Sequence, residues 1–175
     1  MSKLTEEALY RGRIFDITRE RHRMPDRREA TFEFLRHPGG AAVLPVFADG
    51  RLLLIRQFRP SIDEFVCEIP AGRLEPGENP VDCVARELEE EVGYRATEIV
   101  SLGDIFSSIG FCDERIHLFV ATGLRQTATA LEPDEYIEPL IISLDRALAM
   151  IAAGQIPDAK TPIALLRYAL HREHR

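Results

Sequence analysis

Four glutamates crowd residues 87–91, and their spacing could place several carboxylates around one ligand. In an α-helix, at about 100° per residue, Glu91 lies about 40° to one side of Glu87 and Glu90 about 60° to the other. Carboxylates at this spacing repel each other. Hard divalent cations such as Mg²⁺ or Mn²⁺ bind oxygen-rich clusters of this kind, whereas an acidic, solvated helix face is the alternative interpretation.

A helix over residues 80–92 would have to position these carboxylates. Pro80 suits the first turn of that helix, and Gly93 suits the position that ends it. Arg86 neighbours the glutamates and could orient a carboxylate through a bidentate pair. An apolar stripe centred about 110° around the helix from Glu87 can pack on a sheet while the carboxylates line its margin. It is formed by Val81, Val84, Leu88 and Val92.

The spacing around this helix favours the metal-binding interpretation. Gly72 is followed after five residues by Glu78, and after seven more by Arg-Glu-Leu-x-Glu-Glu-x-Gly at residues 86–93. This pattern reproduces the signature box of the Nudix hydrolases, which the sequence resembles. Tyr94 stands where the family more often carries Ile, Leu or Val. The resemblance implies hydrolysis of a nucleoside diphosphate that is linked to another group.

The resemblance also implies roles for individual residues. Glu87 and Glu91 would be metal ligands, and Glu90 would share that role or orient the attacking water. The backbone carbonyl of Ala71 is expected as a further ligand, with Arg86 positioning the carboxylates. The cation, Mg²⁺ with Mn²⁺ as an alternative, would bridge the diphosphate oxygens and lower the pKa of the water.

The flanks of the box resemble the ADP-ribose and nucleotide-sugar pyrophosphatase branch of this family. In the approach to the box, residues 52–72, the resemblance makes Arg56 and Arg59 available to the substrate phosphates. Glu68 would contact the nucleoside of the substrate, with packing or hydrogen bonding as the alternative. The tail of the chain is similar to the same branch, down to its Asp-Ala-Lys-Thr at residues 158–161.

A glutamate on the loop before the last strand assists the catalytic water in these relatives, and Glu135 matches it here. Glu132, Glu138 and Glu90 are the alternatives, and the loop could also be merely acidic. A base on a mobile loop is physically reasonable, because closure over the substrate brings it into range. Glu78 would be either a metal ligand or a brace that holds its loop through backbone amides.

One departure from the branch leaves the substrate open. Ile109, in the segment 106–117, occupies the position where the branch usually carries the proline of Ser-Pro-Gly. ADP-ribose is the leading prediction, and GDP-mannose, other nucleotide sugars and dinucleotide cofactors are the alternatives. A non-catalytic module that senses nucleotide sugars is the alternative from a different functional class, although such a sensor would not need the metal carboxylates.

Composition limits the partners and the compartment. The 175 residues carry a formal net charge of −7, which disfavours binding to nucleic acid or to an anionic membrane. The sequence shows neither a secretory signal nor a membrane span. Its three cysteines form no CxxC pair, so we expect reduced thiols in a cytoplasmic protein.

Strand patterns dominate the first third of the chain, and helices are inserted between and after later strands. This order predicts an α+β fold, a Nudix-type α/β/α sandwich with a mixed sheet and antiparallel N-terminal strands. Residues 1–38 would form those strands and residues 39–175 the Nudix hydrolase domain. The resemblance implies a homodimer, in which residues 8–36 are long enough to complete the site of the partner subunit.

Overall fold

The structure is a computed structural model, and it describes residues 2–131, 133 and 135–173. Within this part of the chain, no helix combines the length and the apolarity needed to cross a membrane. The chain divides into two compact units, which are treated separately below.

The first unit contains residues up to 39 together with 106–115. Its strands are β1 (Ser2–Arg11), β2 (Asp16–Arg23) and β3 (Glu29–Arg36). They form an antiparallel sheet with β2 in the centre, which confirms the predicted N-terminal strands. The sequence did not single out β1, because this strand is exposed along nearly its whole length and so carries no apolar alternation.

A buried carboxylate lies in the central strand of this sheet. Glu20 is 1% exposed, and its oxygens accept from Arg36 Nη2 at 2.5 Å and contact His22 Nε2 at 2.8 Å. Arg36 also donates to Asp113 at 2.9 Å. The unit is therefore stabilised in part by a charged network, since a buried carboxylate is tolerated only when it is paired.

The second unit contains residues 40–105 and 116–175. Its three helices are α1 (Pro80–Val92), α2 (Leu144–Ala152) and α3 (Lys160–Glu173). Its strands are β4 (Gly40–Pro45), β5 (Leu52–Arg59), β6 (Glu64–Glu68), β7 (Ala71–Arg73), β8 (Tyr94–Arg95), β9 (Glu98–Phe106), β10 (Arg115–Thr122), β11 (Arg125–Gln126) and β12 (Ile137–Ile142).

Two larger sheets and a short pair of strands build this unit. One sheet has the order β7-β4-β10-β9 and is mixed, because β4 runs parallel to β10 and antiparallel to β7. The other has the order β12-β5-β6 and is antiparallel. β8 pairs with β11. The predicted mixed sheet is confirmed.

Strands β4 and β5 carry apolar side chains on both faces of the sheets, because successive residues of a strand point to opposite faces. Val43 and Leu53 pack in a cluster with the buried side of α1. Their neighbours Leu44 and Leu54 pack in a second cluster that includes residues of α2 and α3. Helices thus cover both faces, which is the predicted α/β/α sandwich.

A turn at Asp49-Gly50 connects β4 to β5, but the two strands belong to different sheets. Gly50 has a φ of 84°, and Phe47 and Arg51 close the turn with a backbone hydrogen bond of 2.8 Å. A single bridge pairs Val46 with Leu52, after which β4 and β5 enter different sheets. Both strands are largely buried, so each needs other partner strands for its backbone groups.

Candidate catalytic site

Helix α1 holds the glutamates in the orientation that the box predicts. Its first turn is capped by Asn79, whose side chain accepts from the Val81 amide at 3.0 Å, and its end is Gly93 at a φ of 69°. Glu87 is 8% exposed and Glu91 4% exposed. These two carboxylates therefore do not form a solvated face, although Val81, expected on the apolar side, is exposed.

Arg86 connects three of the carboxylates. Its Nη1 donates to Glu87 Oε1 at 2.6 Å and to Glu90 Oε2 at 3.1 Å. Its Nε and Nη2 donate to the two oxygens of Glu78 at 3.1 and 3.2 Å. The bond to Glu78 and the other carboxylates raise the pKa of the guanidinium above its ordinary value. These contacts are the ones that an orienting residue would make, and that role of Arg86 stays a prediction.

Glu78 has the geometry of a loop brace. Besides both contacts to Arg86, its Oε2 accepts from the Glu75 amide at 2.9 Å. The hydrogen bond from Arg86 lowers the pKa of Glu78, so the carboxylate is ionised and engaged. Of the two roles predicted for Glu78, these contacts favour the brace, since both oxygens already have partners.

Backbone at the start of β7 lies directly against two of the glutamates. The Ala71 amide donates to Glu91 Oε2 at 3.0 Å. The carboxyl group of Glu87 lies where a Cβ on Gly72 would stand. Glycine is therefore required at residue 72 for a close approach between strand and helix rather than for a turn. This approach keeps the Ala71 carbonyl and the glutamates in one small region.

The buried carboxylates carry more negative charge than their surroundings neutralise. Burial raises the pKa of Glu87, although Arg86 opposes the shift. Burial raises the pKa of Glu91 well above its ordinary value, and the charges of Glu87 and Glu135 add to this. Glu135 also raises the pKa of Glu87. The structure thus brings the predicted base close enough for its charge to act on both predicted ligands.

The alternatives to Glu135 are placed differently. Glu138 accepts from Arg56 Nη1 at 3.0 Å and from the Tyr136 hydroxyl at 3.1 Å. Its bond to Arg56 lowers its pKa. Glu90 contacts Arg86 and is partly exposed, and Glu132 lies outside the described residues. Glu90 also raises the pKa of Glu87, more than Glu135 does, whereas Glu135 raises the pKa of both Glu87 and Glu91.

A divalent cation fits this donor set. Carboxylate oxygens and a nearby backbone carbonyl are the ligands that hard cations prefer. A cation would also offset the charge of Glu87 and Glu91, which neither Arg86 nor the Ala71 amide neutralises. In the described part of the chain, no group of three or more acidic, histidine or cysteine side chains lies in a geometry that could hold a metal ion by itself.

The predicted substrate-binding residues fall on two faces of β5. Arg59 forms a bidentate pair with Glu68 at 2.6 and 2.7 Å, and its charge also acts on Glu91. Arg56, three residues earlier, points to the opposite face of the strand. There it contacts Glu138 and lies 4.1 Å from the ring centre of Phe65. The structure brings Arg59 and Glu68 toward the buried glutamates, and it does not bring Arg56 there.

One buried cation near the site had no predicted role. Lys160, 8% exposed at the start of α3, contacts Glu68 and lies 3.0 Å from Asp158. The one feature of the sequence that could have drawn attention to Lys160 is the rarity of lysine, because Lys3 is the one other lysine among 22 basic residues.

The profile of the NUDIX domain matches residues 36–162 of this chain. The chain belongs to the Nudix family. The matched range contains the box and its flanks, so the family predicted from the box is confirmed, and with it a hydrolase. Nudix hydrolases generally require a divalent metal, in agreement with the donor set of α1.

Three curated relatives cover nearly all of this Nudix chain. The ADP-ribose pyrophosphatase of Bacillus subtilis (strain 168) is 35% identical over 164 residues, which are 93% of this chain and 89% of that protein. The methanol dehydrogenase activator of Bacillus methanolicus is 36% identical over 173 residues, with 94% of each protein covered. The GDP-mannose pyrophosphatase of Salmonella arizonae is 32% identical over 174 residues, covering 94% and 88%.

A solved structure shares the fold of this Nudix chain. The crystal structure of an ADP compounds hydrolase matches with a TM-score of 0.86 over 99% of this chain and 94% of that chain. Its sequence identity is 21%, so the likeness shows the fold alone. The predicted sandwich architecture is confirmed by this match as well as by the layers of the second unit.

Proposed function

We propose that this Nudix hydrolase uses Mg²⁺ to cleave the diphosphate of ADP-ribose or a related nucleoside diphosphate sugar. The products are a nucleoside monophosphate and a sugar phosphate. The observation that carries the proposal is the buried pair Glu87 and Glu91, held beside the Ala71 backbone with the charge of Glu135 acting on both. The pyrophosphatases among the relatives support the class of substrate.

Glu87, Glu91 and the Ala71 carbonyl would hold the cation, with Glu90 as a further ligand or a partner of the water. When bound, the cation supplies charge neutralisation at the diphosphate and a lower pKa for the attacking water. Arg86 keeps the carboxylates oriented through the contacts given above. This division separates the groups that bind from the group that moves a proton.

Glu135 would accept the proton of the attacking water. The water oxygen forms a bond to one phosphorus, the bridging P–O bond breaks, and the other phosphate leaves with the bonding electrons. Arg59 is the nearest predicted cation for the substrate phosphates, because its charge already acts on the site. It would have to exchange part of its pair with Glu68 for a phosphate oxygen.

We further propose that the protein is a homodimer. The first unit exposes many large apolar side chains, which a second copy of the chain would cover. Ile109 is the most exposed of them at 80%. The others are Leu9, Tyr10, Ile14, Phe32, Phe106 and Phe111.

The three cysteines have free thiols, which supports a reducing compartment such as the cytoplasm.

A substrate panel tests the proposed function. Purified protein is incubated with ADP-ribose, GDP-mannose, UDP-glucose, dinucleotide cofactors and 8-oxo nucleotides, each with Mg²⁺ and with chelator. We expect Mg²⁺-dependent release of a monophosphate from ADP-ribose, and GDP-mannose is the second candidate because a relative acts on it. Absence of hydrolysis across the panel would contradict the proposal. A regulatory role would then be favoured, as in the relative that activates a dehydrogenase.

A further inference from the structure

A buried ion-pair network connects the start of α3 to the end of β6. Glu68, the last residue of β6, is 2% exposed and has two cationic partners. Arg59 binds it with two hydrogen bonds, and the Lys160 ammonium contacts its Oε2. Lys160 in turn lies 3.0 Å from Asp158 Oδ1. Lysine is almost never buried to this degree unless it is paired, so these contacts define where its ammonium lies.

Thr161 continues the connection into the backbone. Its hydroxyl is buried, donates to Asp158 Oδ2 at 2.6 Å and accepts from the Ile69 amide at 2.9 Å. Asp158 Oδ2 also accepts from the Thr161 amide at 3.1 Å. The first turn of α3 thus holds the side chain of Glu68 and the backbone of the next residue.

These contacts lie directly before the proposed metal ligands in the chain. The Pro70 carbonyl, one residue beyond Ile69, accepts from the Val43 amide at 2.9 Å. The next amide, that of Ala71, donates to Glu91. Proline's fixed φ removes one of the backbone rotations between Ile69 and Ala71, so a displacement of Ile69 is expected to shift Ala71 as well. The Ala71 carbonyl and the Glu91 carboxylate would move together.

We propose that Lys160 and Thr161 are positioning residues for the metal site, which act by holding residues 68–71 in place. This inference rests on the proposed function, because it takes Ala71 and Glu91 as ligands of the cation. In this proposal Lys160 and Thr161 are not ligands of the cation, because they bond to Glu68, Asp158 and the Ile69 amide instead. Residues that orient metal ligands typically change metal affinity about 10- to 100-fold when they are replaced.

The test is Mn²⁺ binding to the full chain without substrate, measured from the electron paramagnetic resonance signal of free Mn²⁺. Lys160→Met keeps most of the length of the side chain and removes its ammonium group, whereas Thr161→Val keeps the shape and removes the hydroxyl. Arg167→Met is the matched control. Arg167 is a cation on the same helix, and its guanidinium bonds to the Leu102 carbonyl at 2.9 Å, away from β6.

We expect the dissociation constant for Mn²⁺ to rise about tenfold or more in Lys160→Met and about three- to tenfold in Thr161→Val. In Arg167→Met it should stay within about twofold of the unchanged protein, even if the melting temperature falls. If the substitutions on α3 acted only through global stability, the dissociation constant for Mn²⁺ would change by a similar factor in all three variants.

Unchanged Mn²⁺ affinity in folded Lys160→Met and Thr161→Val, with circular dichroism as the check of folding, would overturn the inference. An equal loss of affinity in Arg167→Met at an equal loss of melting temperature would also overturn it. If Lys160→Met does not fold, Thr161→Val decides the question, because it changes no charge. An unmodified chain that binds no Mn²⁺ would overturn the proposed metal site itself, and with it this inference.

Discussion

The Ala71 amide donates a hydrogen bond to Glu91 at 3.0 Å, so the backbone of β7 and the last turn of α1 meet at one carboxylate. The neighbouring residue Gly72 lies against Glu87 in the same way. Strand and helix therefore share a single anionic contact region.

Glu91→Gln should abolish Mg²⁺-dependent turnover, by about 100-fold or more, while the fold stays intact. The amide keeps the shape of the side chain but is a poor ligand for a hard cation. In chelator the variant should be at least as stable as the unchanged protein, because it removes a buried charge that Glu87 and Glu135 repel. Steady-state kinetics and thermal melts check both parts. Turnover near that of the unchanged protein would remove Glu91 from the metal site.

Glu135→Gln should lower kcat about 10²- to 10⁴-fold and leave KM nearly unchanged, because the residue is proposed to accept a proton rather than to bind substrate. Glu138→Gln is the matched control, since Glu138 is already engaged by Arg56 and Tyr136. It should retain most of the rate. If the two variants behave in the opposite way, the base is Glu138, and if neither loses activity, it is to be sought at Glu90 or Glu132.

Gly72→Ala should reduce both stability and activity. A Cβ at residue 72 would overlap the carboxyl group of Glu87, so either the strand or the glutamate must move. We expect a loss of about 1–3 kcal/mol in the free energy of unfolding, as for other overpacked sites. Gly110→Ala is the control, because a Cβ there meets nothing within 4 Å. Denaturant melts of both variants would contradict this reasoning if Gly72→Ala were the more stable of the two.

Glu20 should make the protein sensitive to acid. Burial alone would raise its pKa, but hydrogen bonds from Arg36 and His22 lower it from 4.5 to about 2. A lowered folded-state pKa stabilises the fold fully above about 4.5, and this contribution is lost as the pH falls toward about 2. Melting temperatures measured between these two values should fall less steeply in Glu20→Gln than in the unchanged protein.

The same variant should also be less stable at neutral pH. Glu20→Gln removes the charge-assisted hydrogen bond from Arg36, which keeps Asp113 as its partner, and a hydrogen bond to a charged group is worth about 1.5–3 kcal/mol. Glu33→Gln is the control, because Glu33 forms an exposed pair with Arg19 and should matter little. Equal melting curves for the two variants at neutral pH would show that the network around Glu20 does not stabilise the first unit.

The sequence predicted the helix of the box well, because its signals are local. Pro80 and Gly93 mark its ends through backbone conformations that depend on those residues alone. The spacing of Glu87, Glu90 and Glu91 needs only the helical repeat. Within the strands predicted for residues 1–38, β1 was not singled out for the opposite reason, since its exposed residues carry no pattern and its strand conformation depends on pairing with β2.

The substrate-binding prediction shows where sequence reasoning stops. Arg56 and Arg59 look equivalent in the sequence, because both lie in the segment 52–72 that resembles the relatives. Strand alternation sends them to opposite faces, where Arg56 meets Glu138 and Arg59 meets Glu68. Which side of a strand faces a site is set by pairing register, and a register is a tertiary property.

By itself, the sequence determined the family, the class of reaction and the residues of α1, because these depend on spacing along one helix. Only the tertiary structure decided that Glu87 and Glu91 are buried while Glu90 is not, and that Glu135 acts on both. It alone revealed the tether from Lys160 to Glu68, two residues 92 positions apart. Burial and long-range pairing arise when separate segments pack, and no local pattern in a single chain encodes them directly.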